Sequence, residues 1–287
     1  MIAILDHDSK WSADALLRAI VRSCLMQILP NTNEVAAGSI DEEHVHQLRV
    51  GLRRLRTAAH VLHDFCADLD PASEEPLAEA FRQLGRYRDV HNVLPEVEAR
   101  LSAVGAPAAR RVFNTGPVPD PRVTVCDPAF QASLRQLNEL SLAESPRADR
   151  GGALDKPAAA RKELCSRLTH LRTQMTHASK QFEAMEPSEQ HRVRKRLKRL
   201  RYLIESIAPL FDKHEVQAYV AALQPALQAL SLHRDEAVAL EVFRARTQPD
   251  PRTWFAVGWL TAHQAQTAAA CALALGKAVR RRPFWHK

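Results

Sequence analysis

The sequence predicts an all-α protein, and three observations lead there. Hydrophobic residues make up 46% of the 287 positions and aromatics only 6%, with Ala and Leu in the lead; this is the composition of helix bundles rather than of sandwiches or barrels. Apolar residues recur at spacings of three and four along most of the chain, whereas strand-like alternation is confined to one weak candidate, RVTVC at 122–126. Finally, a distinctive helical segment occurs twice.

The elements follow in order. Ser12 starts a first helix whose apolar run extends through Leu29 and is ended by Pro30 and Asn31. Asp41 and its acidic neighbours open a long second helix reaching about Phe65. Pro71 and Pro76 punctuate the chain before a third helix from about Leu77 to Arg88, and a fourth runs from near Leu94 to a stop before Gly105. The Pro-rich stretch GPVPDPRVTVCDP reads as a linker. A short helix from about Ala129 to Ala143 follows, then a loop with Pro146, Gly151 and Gly152, then helices over about 157–185, 188–211, 214–232, 234–246 and 254–280. The expected organisation is one domain, 1–287, with an N-terminal helical repeat of about 10–104, a linker of about 105–156 and a C-terminal repeat of about 157–287.

The repeat carries most of the information. HQLRVGLRRLR at 46–56 aligns without a gap on HRVRKRLKRLR at 191–201, and LGRYRDVHNVL at 84–94 aligns on LSLHRDEAVAL at 230–240. In the second pair Arg88 and Asp89 fall on Arg234 and Asp235. The two alignments differ in offset by one residue, so the chain is built from two copies of one helical unit.

At about 100° per residue, Val45, Leu48, Leu52, Leu55, Ala59 and Leu62 form an apolar stripe suited to a bundle core. His46, Arg49, Arg53, Arg56 and His60 lie on the adjoining flank. The second copy repeats the arrangement, with Val193, Leu197, Leu200, Ile204 and Ile207 beside His191, Arg194, Lys198 and Arg201. A solvated helix face ordinarily interleaves Glu with Lys at four-residue spacing. Here no acid interrupts the flank from His46 to Arg56, Arg outnumbers Lys, and Arg makes planar, bidentate contacts to phosphate oxygens. These stripes are candidate polyanion sites, with Arg54, Lys195, Arg199, Arg88 and Arg234 as secondary candidates. His46 and His191 carry two readings: a structural hydrogen bond near a helix start, or a phosphate donor that gains charge below about pH 6.5.

The formal charge of +7 and pI near 9.4 agree with an anionic partner. Five cysteines, Cys24, Cys66, Cys126, Cys165 and Cys271, lie far apart without a CxxC pair, which points to a reducing, cytoplasmic setting rather than a disulfide framework. No run of eighteen apolar residues is present, and the first residues lack the basic and apolar regions of a secretory leader.

The basic helices and the downstream RD at 88–89 and PFW at 283–285 resemble the CHAD family, the conserved histidine α-helical domain, over nearly the whole chain. The resemblance implies two pseudo-symmetric four-helix bundles with a basic cleft or pore between them that binds inorganic polyphosphate. It also implies that binding falls to His46, Arg49, Arg53, Arg56, His191, Arg194, Lys198 and Arg201. Some members are associated with polyphosphate or polyhydroxyalkanoate granules. In the second half LQPALQALSLHRD at 223–235 departs from the family pattern, with Pro225 replacing an acid, no Gly and Arg234 replacing Asn.

Catalysis is not expected, and neither a cofactor nor a metal is called for. The stripes hold no acid cluster for a divalent ion; there is no GxxxxGK[ST] loop, no GxSxG and no Cys/His nucleophile pattern. His60 and His63, one turn apart, are weak zinc evidence. A nucleic-acid backbone binder and a polyhydroxyalkanoate-granule surface protein stay open as alternatives. The first lacks aromatics for base stacking beyond Tyr202. For the second, Ala268–Leu275 is the apolar segment to consider.

Overall fold

A computed structural model describes residues 11–39, 41–108, 118–144, 154, 156–248 and 250–286. Ten α-helices run in the order α1 (Ala13–Ala36), α2 (Glu42–Val61), α3 (Glu74–Arg88), α4 (Leu94–Ala103), α5 (Pro121–Val125), α6 (Pro128–Leu142), α7 (Pro157–Gln181), α8 (Pro187–Ile207), α9 (Lys213–Arg244) and α10 (Thr253–Arg280), and no strand occurs among the described residues. Side-chain caps start several of them: Ser12, Asp41, Asp127 and Asp212 each accept a backbone N–H from the first turn.

The helices pack as two closed rings of four. In the first, α1 lies on α2 and α6, and α3 on α2 and α6; in the second, α7 lies on α8 and α10, and α9 on α8 and α10. Much of α6, which the sequence places inside the linker, therefore completes the first ring. Within that segment, 109–117, 145–153 and 155 lie outside the described residues. The leucine stripes of α2 and α8 are buried as expected, with one shift: Ala58 rather than Ala59 enters the core between Leu55 and Leu62. Gly51 marks the α1–α2 crossing, where a Cβ would stand 2.7 Å from Ile28 Cγ1; any larger residue would push the helices apart. At the C-terminus Phe284 and Trp285 plug the second ring, the Trp285 Nε1–H donating to Thr169 Oγ1 at 3.1 Å.

Four sequence expectations need correcting. Helix α1 does not stop at Pro30 but continues to Ala36, because Pro30 and Met26, whose carbonyl loses its donor, both face solvent. Beyond the proline, Thr32 and Val35 extend the buried face. Helix α9 is likewise one 32-residue helix where two, over about 214–232 and 234–246, were expected: Leu230, His233, Glu236 and Leu240 carry the buried face across the expected break, and Pro225, inside the first of the two, is exposed. RVTVC is not a strand. Asp120 accepts the Arg122 N–H at 2.8 Å, and Pro121 occupies the first helical turn, so cap chemistry overrides β-branched content and forms α5. Finally, α3 and α4 are joined without a break by a π turn, Asp89–Val93, which widens the helix just before Pro95.

The two rings meet in several places: α2 packs on α8, α4 with the π turn packs on α9, and Arg167 of α7 donates to the Val61 carbonyl and to Asp64 at 2.5 Å. The second contact has its own apolar cluster, including Leu94, Val97, Leu101, Leu240, Phe243 and Leu260. Beside it the fully buried Glu236 accepts from Arg100 Nη1 at 2.6 Å and pairs with His263 Nδ1 at 2.9 Å, the imidazole being stacked on Trp259 at 4.6 Å. Removing one partner of a buried pair costs about 3–5 kcal/mol. Arg100 and His263 each keep about a third of their side chains in contact with water, so Glu236→Ala is expected to lower unfolding free energy by a reduced amount, about 2–3 kcal/mol, in urea titration.

Candidate functional site

Helices α2, α3, α8 and α9 enclose an open cavity of about 560 Å³. α2 contributes Arg49, Arg53, Arg56 and His60; α8 contributes His191, Arg194, Lys195, Lys198 and Arg199; Arg234 and Asp235 come from α9, Asp89 from the π turn, and α3 supplies the floor around Phe81 and Gly85. Eleven Arg and Lys side chains face three acids in this wall, so the cavity is short of internal counterions.

All three acids are already engaged. Glu74 pairs with Arg56 at 2.8 Å; Arg88 reaches Asp235 at 3.3 Å, and Arg234 reaches Asp89 at 3.7 Å. The last two pairs exchange partners between the halves, each repeat's Arg meeting the other's Asp. By contrast, Arg49, Arg53, Arg194, Lys195, Lys198 and Arg199 form no ion pair among the described residues. Arg49 is buried, donates to the Phe81 carbonyl at 3.2 Å and lies against Gly85, where an added Cβ would come within 3.1 Å of its Nη1. Buried Arg194 leaves its Nε without a partner. Phe81 stabilises three of the cations at once: Arg49, Arg53 and Arg56 stand over its ring at 4.8, 4.9 and 5.5 Å.

Burial, reinforced by like charges, pushes these groups toward their neutral forms. Lys198 is brought down to about 5 by burial and by Arg53, Arg194 and Arg88; His191 falls to about 4 by burial and by Arg234 and Lys195. Burial lowers Arg49 to about 9 and Arg194 to about 10, so the guanidiniums keep their protons at neutral pH while Lys198 and His191 give theirs up.

Of the eight residues expected from sequence, six come together here: Arg49, Arg53, Arg56, His191, Arg194 and Lys198. The secondary candidates Lys195, Arg199, Arg88 and Arg234 join them. Three others lie outside the wall. His46 is exposed; Arg201 turns to Glu205 at 2.7 Å and to Gln224; Arg54 donates to Gln27 of α1 at 3.1 Å. The cavity thus draws on different turns of the two repeated helices, and Arg56 lines it where its counterpart Arg201 does not. Sequence reading missed the α3 contribution, Phe81, Arg82, Gly85 and Arg86, whose signal was the four-residue spacing of Arg82 and Arg86.

With this geometry in view the comparisons are informative. The CHAD domain profile matches residues 19–244. The chain belongs to the CHAD family. The crystal structure of the CHAD domain from the plant Ricinus communis superposes with a TM-score of 0.71 at 22% identity, covering 98% of this chain and 96% of that one. PptA from Streptomyces chartreusis superposes at 0.64 with 18% identity, covering 95% and 100%. At these identities the likeness concerns the fold. No functionally curated protein matches the chain.

Elsewhere in this CHAD domain, Asp14, Cys66 and Asp68 bring metal-ligand atom types within 4.8 Å of one another. Arg18 accounts for that grouping: it donates to Asp14 at 2.7 Å, to Asp68 at 2.6 Å and to the Leu140 carbonyl at 2.6 Å, tying α1 to α6.

The crowding of Lys198 has a measurable sign. Its ordinary value of 10.5 falls to about 5 on folding, so between these limits the unfolded chain holds a proton that the folded one lacks, and stability rises with pH. Lys198→Met removes this dependence. The variant is expected to unfold at a higher temperature than wild type, by a margin that is largest near about pH 5 and shrinks toward about pH 9, as thermal melts across that range would show.

Proposed function

We propose that this CHAD domain binds linear inorganic polyphosphate, without chemical turnover, in the cavity between α2, α3, α8 and α9. The observation that carries this reading is the set of Arg49, Arg53 and Arg194 with the adjacent Lys198, half-buried or buried basic groups from both repeats that face one cavity and form no ion pair among the described residues. Such a set is costly when empty and is stabilised by a ligand that brings several negative charges at short intervals. A polyphosphate chain supplies them without needing a base or sugar contact.

Nucleic acid suits the same cavity less well. Single-strand binders stack bases on aromatic faces, and the lining aromatic here, Phe81, is already covered by three guanidiniums. Against turnover, the acids of the wall are held by arginines, and among the described residues no group of three metal-ligand side chains gathers there as a divalent ion would require. Among the described residues no helix is long and apolar enough to cross a membrane, and all five cysteines are free thiols. A cytoplasmic protein that meets its ligand free or on polyphosphate granules fits these features. The polyhydroxyalkanoate-granule alternative would rest on α10, where Leu273 is exposed.

Calorimetric titration with long-chain polyphosphate, orthophosphate and single-stranded DNA tests the reading: tight binding of the first alone supports it, and equal or tighter binding of DNA would overturn it. Salt should weaken binding with a slope of roughly −4 if six phosphates are neutralised at about −0.7 each. A slope near zero would remove the cavity from consideration. Arg49→Ala/Arg53→Ala and Arg194→Ala/Lys198→Ala should each lose most long-chain affinity, since the two helices share one ligand.

Binding should also take up protons. A bound phosphate chain raises the affinity of Lys198 and His191 for protons from their starting values of about 5 and about 4, so affinity falls as pH climbs above that range. Calorimetry in two buffers of different ionisation enthalpy reads the uptake directly; no buffer dependence near neutrality would contradict it.

A further inference from the structure

A second cavity of about 390 Å³ adjoins the basic one through a shared wall of His191, Arg194 and Arg234. Its chemistry is different. Beyond the shared residues it gains one guanidinium, Arg244, whose Nη2 donates to Thr261 Oγ1 at 3.4 Å, and two carboxylates, Glu183 and Glu241. The remaining surface is apolar or amide: Met185, Ala237, Leu240 and Ala265, with Gln264.

The polar groups at its base are committed. His233 bonds Thr267 Oγ1 through Nδ1 at 2.8 Å and Gln190 Oε1 through Nε2 at 2.9 Å. The Gln190 Nε2 donates to the Phe182 carbonyl, so its Oε1 accepts and Nε2 of His233 carries a proton, while burial lowers the imidazole's affinity for a second one. The imidazole is neutral and has no donor left for a phosphate oxygen.

A phosphate chain leaving the basic cavity by this route would meet two carboxylates and a single guanidinium. An uncharged organic group would meet apolar side chains and an amide in a space within the usual range of about 300–1,000 Å³ for small-molecule sites. The geometry points to an organic oligophosphate as a ligand of this domain, its phosphates in the basic cavity and its neutral head, of about nucleoside size, in the adjoining one. The inference rests on the reading of the basic cavity as a phosphate-chain site.

The test uses the full chain and two metal-free probes with equal numbers of phosphates, ATP and tripolyphosphate. Charge alone favours tripolyphosphate, which carries the larger negative charge. We expect ATP to bind at least about fivefold more tightly, because of apolar burial in the second cavity. Ala265→Trp, on the exposed side of α10, should fill that cavity and abolish the advantage while leaving tripolyphosphate affinity within about twofold, and Ala237→Leu, from α9, should do the same. Equal binding of the two probes by wild type, or an ATP advantage that survives both fillings, overturns the inference and leaves the phosphate-chain site standing. A benefit of longer polyphosphate that Ala265→Trp removes also overturns it, by making the second cavity a continuation of the chain path. Failure of tripolyphosphate to bind wild type would overturn the phosphate-chain reading itself, and this inference with it.

Discussion

The position of the cations is set by the burial of leucine. On α2 and α8 the apolar stripe must face its own ring, and once Leu48, Leu52 and Leu55 or Leu197 and Leu200 are in the core, the neighbouring flank has one direction left to it. That direction is toward the other half, because α2 packs on α8. Hydrophobic burial, which has no interest in charge, thereby drives Arg49, Arg53, Arg194 and Lys198 into a shared space from which they would otherwise repel one another. One apolar cluster runs through both rings, and the electrostatic cost falls on the cavity beside it, where the two basic flanks face each other.

That cost must be offset elsewhere, and the second joint between the halves offers the means. The apolar cluster between α4, α9 and α10, with Glu236 held by Arg100 and His263, joins the halves at a second place where charges are paired rather than crowded. α9 carries both features on successive residues: Arg234 and Asp235 point to the cavity while Glu236 is buried in the joint. A protein that keeps an unneutralised site gives up stability there and recovers it away from the ligand, a common division between function and fold.

How much of this was legible beforehand depended on whether a signal was local. The helical class, the two basic flanks and the RD pairs could be read because periodicity and repetition are properties of the chain itself. Pro30 misled, since a proline breaks a helix only where water cannot replace the lost bond, and solvent exposure is a tertiary fact. RVTVC misled because its β-branched content was weighed and its Asp-Pro start was not. At the site, the flank was right but the turns were not. His46 and Arg201 have the correct angle about their helices, yet lie too far along them to reach the cavity, and the crossing point of two helices is invisible in either one alone. Phe81 and Gly85 escaped because neither is charged, although one gathers three arginines and the other makes room for Arg49 among them.

The crossed pairing of Arg88 with Asp235 and of Arg234 with Asp89 bears on how the two halves depend on each other. Reciprocal exchange, in which a residue of one half meets a second position in the other and the favour is returned, is the contact logic of a two-fold homodimer. Each repeat holds both members, the donor and the acceptor, one after the other. An N-terminal half separated from the rest would keep only the 3.8 Å contact of Arg88 with its neighbour Asp89, and would recover the crossed pairs by associating with a second copy of itself. Covalent linkage therefore turns what would be a concentration-dependent assembly into an intramolecular one, and leaves the two basic helices free to diverge in sequence while remaining opposed.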